Sequence, residues 1–120
     1  METKDYWIYK NKIFFKPNFN DKLDNYIDII SKYNELIFSN YNDCSITIKT
    51  NNIYCNKYKQ NYKESNFNQQ VIIPQNITHL TFGNSFNKKV NKFPLNLKTI
   101  KCNKQYKYIN DFKDKFDIIL

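Results

Sequence analysis

The sequence predicts a mainly β fold, a short solenoid whose parallel sheet is built from about five stacked coils closed by irregular caps. Three observations carry that expectation. Ile73-Pro74, Ile77, Leu80, Phe82 and Phe86 return as Phe93-Pro94, Leu97, Ile100, Cys102 and Tyr106, each 20 positions later. Within a unit the apolar residues are spaced as in Ile77, Leu80 and Phe82, which places alternate side chains on one face of a short strand. An aromatic residue followed by Asn recurs at Phe19-Asn20, Tyr41-Asn42, Phe67-Asn68 and Phe86-Asn87.

Taken in order, residues 1–12 form an N-terminal cap in which Tyr6, Trp7 and Ile8 cover the first coil. Coils occupy 13–110 and are clearest over 73–110, and 111–120 form the C-terminal cap of a single repeat domain. The first unit is IFFKPNFNDKL, Ile13 to Leu23, aligned with LTFGNSFNKKV, Leu80 to Val90. Asp21 to Tyr33 is amphipathic at helical spacing and connects the first unit to the second, where Leu36 and Phe38 take the strand positions. Cys44, Ile46 and Ile48 alternate as in an extra strand, and Ile53 and Cys55 supply the strand of a third unit. A polar insertion, NKYKQNYKES, then delays its Phe67-Asn68 pair. The fourth unit is the most regular, and the fifth begins at Phe93. Phe112, Phe116, Ile119 and Leu120, spaced for one face of a short helix, close the stack.

Stacking these units gives an inward face of Ile13/Phe15, Leu36/Phe38, Ile53/Cys55, Leu80/Phe82 and Ile100/Cys102. The strand starts are separated by 23, 17, 27 and 20 residues, a spread around the roughly 20 to 29 residues of leucine-rich repeats.

The net charge of +8 comes with Lys and no Arg. Arg grips phosphate and guanine through two parallel hydrogen bonds, so its absence weighs against specific nucleic-acid readout. Asn, Lys, Ile, Tyr and Phe crowd a chain without Ala, and their shared AT-rich codons offer a compositional source for the charge. No stretch approaches the roughly 18 to 20 apolar residues of a membrane span, and METKDYWIYKNK is too polar for a secretory signal. Cys44, Cys55 and Cys102 form no CxxC pair and read as buried thiols of a reducing, cytoplasmic compartment. Ile77, a core position, sits at the centre of the sequon Asn76-Ile77-Thr78, which argues against glycosylation there.

IPQNITHLTFGNSFNKKV, Ile73 to Val90, resembles the FNIP repeat, a leucine-rich-repeat-like unit abundant in slime moulds and in giant viruses of amoebae. The shared pattern is a Pro lead-in, an apolar-Thr-His-Leu strand, Phe-Gly, then Phe-Asn and a closing apolar residue. Two departures are Lys88-Lys89, where the family often has Pro after Phe-Asn, and Lys16, Ser39, Asn56 and Asn103, where the other units lack a counterpart of Gly83. Family members often carry an F-box-like segment that implies a ubiquitin-ligase adaptor. Asp21 to Tyr33 is too short for one. The resemblance implies a giant-virus or slime-mould protein, acting in the host cytoplasm if viral.

No catalytic, cofactor-binding or metal residue is expected. His79 is the only histidine and should point to solvent, with no Cys or carboxylate cluster beside it for a tetrahedral metal site. The aromatic-Asn pairs could stack bases, but are better read as an inward ladder whose amides satisfy backbone groups of the next turn. The expected binding surface is the outward row of the sheet: Lys12 with Phe14, Glu35 with Ile37, Asn52 with Tyr54, His79 with Thr81, and Thr99 with Lys101. Phe14, Ile37 and Tyr54 exposed together would form an apolar patch for a protein partner, a host protein if the chain is viral. The alternative is that the N-terminal segment covers them. The expected function is a non-enzymatic protein-interaction scaffold, monomeric or weakly paired end to end, and the competing one is a lysine-rich surface for nucleic acid or other polyanions without sequence preference.

Overall fold

The computed structural model describes residues 3–40, 63–111 and 117–119. Its six strands are β1 (Tyr6–Tyr9), β2 (Lys12–Phe15), β3 (Glu35–Phe38), β4 (His79–Thr81), β5 (Thr99–Lys101) and β6 (Asp117–Ile119). They form one sheet in the order β1-β2-β3-β4-β5-β6. β1 and β2 are antiparallel, and every later pair is parallel. Helix among the described residues is confined to short pieces: 3-10 turns at Leu23–Tyr26 and Ile109–Asp111 and one helical turn, α1 (Ile27–Ile30). Among the described residues no helix is long and apolar enough to cross a membrane.

The register lines up four of the five residues expected in the apolar column, Ile13, Leu36, Leu80 and Ile100. Ile13 faces Leu36, Leu36 faces Leu80, Leu80 faces Ile100, and Ile100 faces Ile118. Ile13, Leu36, Leu80 and Ile100 are buried because alternation turns them into one continuous core. Each return to the sheet uses the same tight turn: Tyr33 N–H donates to the Ile30 carbonyl (3.1 Å), Ile77 to Pro74 (3.2 Å) and Leu97 to Pro94 (3.3 Å). Proline suits that place because only its carbonyl is needed. A second recurring turn follows the strand, where Phe19 N–H donates to Lys16 (3.0 Å), Phe86 to Gly83 (3.3 Å) and Tyr106 to Asn103 (2.9 Å).

Two aromatic columns fill the space behind the strands. Phe15, Phe38 and Phe82 stack at centroid separations of 5.8 and 5.7 Å. Phe19, Phe67, Phe86 and Tyr106 follow at 5.8, 5.9 and 5.6 Å. Phe38–Phe67 (4.0 Å) and Phe82–Phe86 (3.8 Å) join the columns rung by rung. Burying each ring contributes about 1.5–3 kcal/mol, and each ring pair adds about 0.5–1.5 kcal/mol beyond area.

Two expectations are corrected. β3 pairs directly with β4, so in the sheet the Leu36 rung adjoins the Leu80 rung, where the expected order was Leu36, Ile53, Leu80. Phe67 accordingly stacks on Phe38 and Phe19, completing the second coil rather than a third. Ile53, Cys55, Tyr41 and the strand expected at Cys44–Ile48 lie outside the described residues. At the other end, Asp117–Ile119 is a strand hydrogen-bonded to β5, where a helix face was expected. Backbone groups left open on β5 favour pairing over a free helical turn. Phe112, Phe116 and Leu120 lie outside the described residues.

The N-terminal cap is a hairpin. Tyr6 and Ile8 pack against the core beside Phe15 and Ile13, and Tyr26 adds a T-shaped contact to Phe15 at 5.4 Å. The Tyr26 hydroxyl donates to Asp5 Oδ2 at 2.9 Å, and burial, followed by that carboxylate, pushes its pKa up to about 12. Cys102 is a buried free thiol, its pKa raised by burial, so it fills core volume rather than reacting. Ile77 is fully buried and Asn76 Nδ2 donates to the carbonyls of Tyr33 and Ile30, which ties the sequon asparagine to the preceding coil.

Candidate functional site

The outward face of the sheet carries two rows set by strand register. One runs Lys12, Glu35, His79, Thr99, Asp117, and the other Phe14, Ile37, Thr81, Lys101. Parallel sheets are ordinarily covered on both faces. Here the helical turns contribute Leu23 and Ile30 to the inner core. Glu35, Ile37, His79, Thr81, Thr99 and Lys101 remain half-buried.

The face divides in character along the stack. At the N-terminal side Trp7 of β1 lies opposite Phe14, and their rings stack at 3.8 Å with an interplanar angle of 5°. Trp7 is 1% exposed and Phe14 7%. Phe14 is therefore covered by the N-terminal segment, the alternative to the exposed patch. Trp7 belongs to the outward face, whereas the sequence reading put it over the first coil. The two-residue Lys10-Asn11 turn, with Lys10 at φ 55°, sets that register and was the available signal. Trp7 Nε1–H is buried and makes no hydrogen bond among the described residues. Asn52 and Tyr54 lie outside the described residues.

Towards the middle the face becomes polar. Lys12 Nζ and Glu35 Oε1 stand 3.7 Å apart in a partly exposed ion pair, worth about 0–1 kcal/mol. His79 Nδ1 lies 2.8 Å from Thr78 Oγ1, a contact that orients the ring. No group of three His, Cys, Asp or Glu side chains among the described residues could hold a metal.

The aromatic-Asn pairs run along a different edge, at the turn that follows each strand. Asn20 Oδ1 accepts from Asn68 N–H (2.8 Å), Asn68 Oδ1 from Asn87 N–H (2.9 Å), and Asn87 Oδ1 from Lys107 N–H (3.3 Å). Each amide thus satisfies the backbone of the next coil, and each preceding ring lies in the core. The ladder has no Asn at Lys107, which receives the last of these bonds.

Residues 67–101, which contribute Phe67 and the whole of the coil through β4 and β5, match a family model described as FNIP Repeat. The match supports an FNIP repeat-containing protein. No curated protein and no solved structure matches the chain.

Proposed function

We propose that the chain is a non-enzymatic protein-interaction module, a leucine-rich-repeat-like solenoid of short coils that presents the outward sheet face to a protein partner. The observation that supports this reading is the half-open parallel sheet. Ile37, His79, Thr81, Thr99 and Lys101 form a contiguous strip over β3, β4 and β5, with the helical turns packed on the opposite side. Repeat arrays use such extended faces because each added coil extends the contact without altering the core. The same reading takes the chain as a giant-virus or slime-mould protein acting in the cytoplasm.

The test is capture from amoebal lysate with the wild type, with Ile37→Lys/Thr81→Lys on the strip, and with Leu95→Lys on a turn where Leu95 is 93% exposed. The reading expects proteins recovered at high salt by the wild type and by Leu95→Lys and lost with the strip variant. Recovery of the same proteins by all three would defeat it.

A further inference from the structure

The net charge of the chain is concentrated in its regular coils. Residues 65–110 hold seven of the nineteen lysines and none of the eleven acidic residues, so that stretch accounts for +7 of the formal +8. Biased codon usage acts on the whole chain, yet the remaining twelve lysines and eleven acids nearly cancel. Composition explains the abundance of lysine and leaves this segregation unexplained. Lys88, Lys89, Lys92, Lys98, Lys104 and Lys107 are all exposed.

An open groove of about 400 Å³ crosses the turns that follow β4 and β5, lined in part by Asn68, Asn84, Asn87, Asn103, Gln105 and Lys107, the last being one of these lysines. Asn68 and Asn87 both line the groove and commit their Oδ1 atoms to the backbone of the next coil, which leaves the Nδ2 donor of each out of that bond. Among the described residues the lining holds an ammonium and several amides and no carboxylate. Glu64, outside the lining, accepts from Asn84 Nδ2 at 3.0 Å. Donors and a cation in a row, undiluted by carboxylates, fit a chain of anions.

We propose that this edge binds single-stranded nucleic acid through its phosphodiester backbone, without sequence preference. Lys meets phosphate as a point charge and needs no bidentate geometry, so the missing Arg removes base reading and leaves backbone binding intact. The groove lies at the small end of the roughly 300–1,000 Å³ of ligand pockets. That is room for one unit of a strand at a time, which favours a flexible single strand over a rigid duplex. The proposal does not rest on the outward sheet face, which lies on a different side of the coil.

Fluorescence anisotropy with a labelled 20-mer of deoxythymidine, titrated between 50 and 200 mM salt, tests it. Binding at low salt should weaken steeply, and Lys104→Gln/Lys107→Gln should lose about tenfold in affinity. The log–log salt slope should then shrink by about 1.4, the value for two lost phosphate contacts on a single strand. Glu64→Gln should bind more tightly. Lys22→Gln/Lys32→Gln removes the same charge from the connection between the first two coils and should leave binding unchanged. No binding at 50 mM salt, equal losses from the two double variants, or equal affinity for a duplex or a sulfated oligosaccharide of matched charge would overturn the proposal.

Discussion

The second and third coils have the same rungs and were assembled differently. The third is drawn from contiguous chain, with Ile77, Leu80, Phe82, Phe86 and Val90 all buried in order. The second takes Leu36 and Phe38 from one segment and Phe67 and Val71 from another, with residues 41–62 between them. The rings nonetheless meet in the same way, Phe38–Phe67 at 4.0 Å and 9° against Phe82–Phe86 at 3.8 Å and 4°. A coil here is defined by its buried rungs and its Asn bond rather than by chain continuity. In the second coil two further bonds hold the place where the segments meet. Asn40 Oδ1 accepts from Ser65 N–H at 2.8 Å, and Asn66 N–H donates to the Pro17 carbonyl at 2.8 Å.

The sharpest way to break that equivalence is Phe67→Ala. If Phe67 is a rung of the second coil, as buried as Phe86, its removal strips a ring flanked by Phe19, Phe38 and Phe86. The expected loss is about 3–5 kcal/mol in urea unfolding, within error of the loss from Phe86→Ala. A loss below about 1 kcal/mol, with Phe86→Ala costly, would mean the two coils are not equivalent.

A smaller effect probes where the re-entering segment crosses its neighbour. Gly83 is the chain's only glycine, and its φ is not positive, so space rather than backbone freedom explains it. A Cβ there would stand 2.7 Å from Ser65 Cβ and 3.3 Å from its Oγ. Ser65 is fully buried and tied to Asn40, so it has little room to retreat. Gly83→Ala should cost about 1–3 kcal/mol by overpacking, read as a shift in the urea midpoint at constant slope. The glycine is needed where the second coil is spliced. That explains why Lys16, Ser39 and Asn103 serve at the matching place in other coils. A neutral Gly83→Ala would separate Ser65 from the third coil.

Much of this was legible from apolar periodicity. The column Ile13, Leu36, Leu80, Ile100 and the role of the Asn amides both follow from register, because a residue repeated in phase must meet its copy in the next coil. What failed was ownership. Ile53 and Cys55 satisfy the local apolar-x-apolar pattern as well as Leu36 and Phe38 do, and spacing alone cannot say which strand Phe67 returns to. The decision is made at long range, by rings that must fill the gap beside Phe38. Asp117–Ile119 was misread for a related reason. Three residues are too few to show alternation, and the i, i+4 spacing of Phe112 and Phe116 extends a helical reading onto them. On the outward face, Phe14 could be ranked as exposed only while the hairpin register that seats Trp7 on it was unread. The charge segregation over 65–110 was present in the sequence and hidden by the chain total.

The mildest perturbation is also the most direct test of how the second coil closes. Lys63 N–H donates to the Asn40 carbonyl at 2.8 Å, so the two ends of the interruption already meet as neighbours in a tight turn. Replacing 41–62 by a two-residue Asn-Gly link leaves every described rung and the Asn20–Asn68–Asn87 ladder in place. Closing a loop costs about 0.6 kcal/mol more for each doubling of its length, so if the described rungs suffice the shortened chain should lose nothing and gain at most about 2 kcal/mol. The measurement is urea unfolding with a retained near-ultraviolet aromatic signal, since that signal depends on rings held in fixed contact. A variant that expresses but unfolds without cooperativity would show that the rungs do not suffice. The second coil would then differ in kind from the third, despite their matching ring geometry.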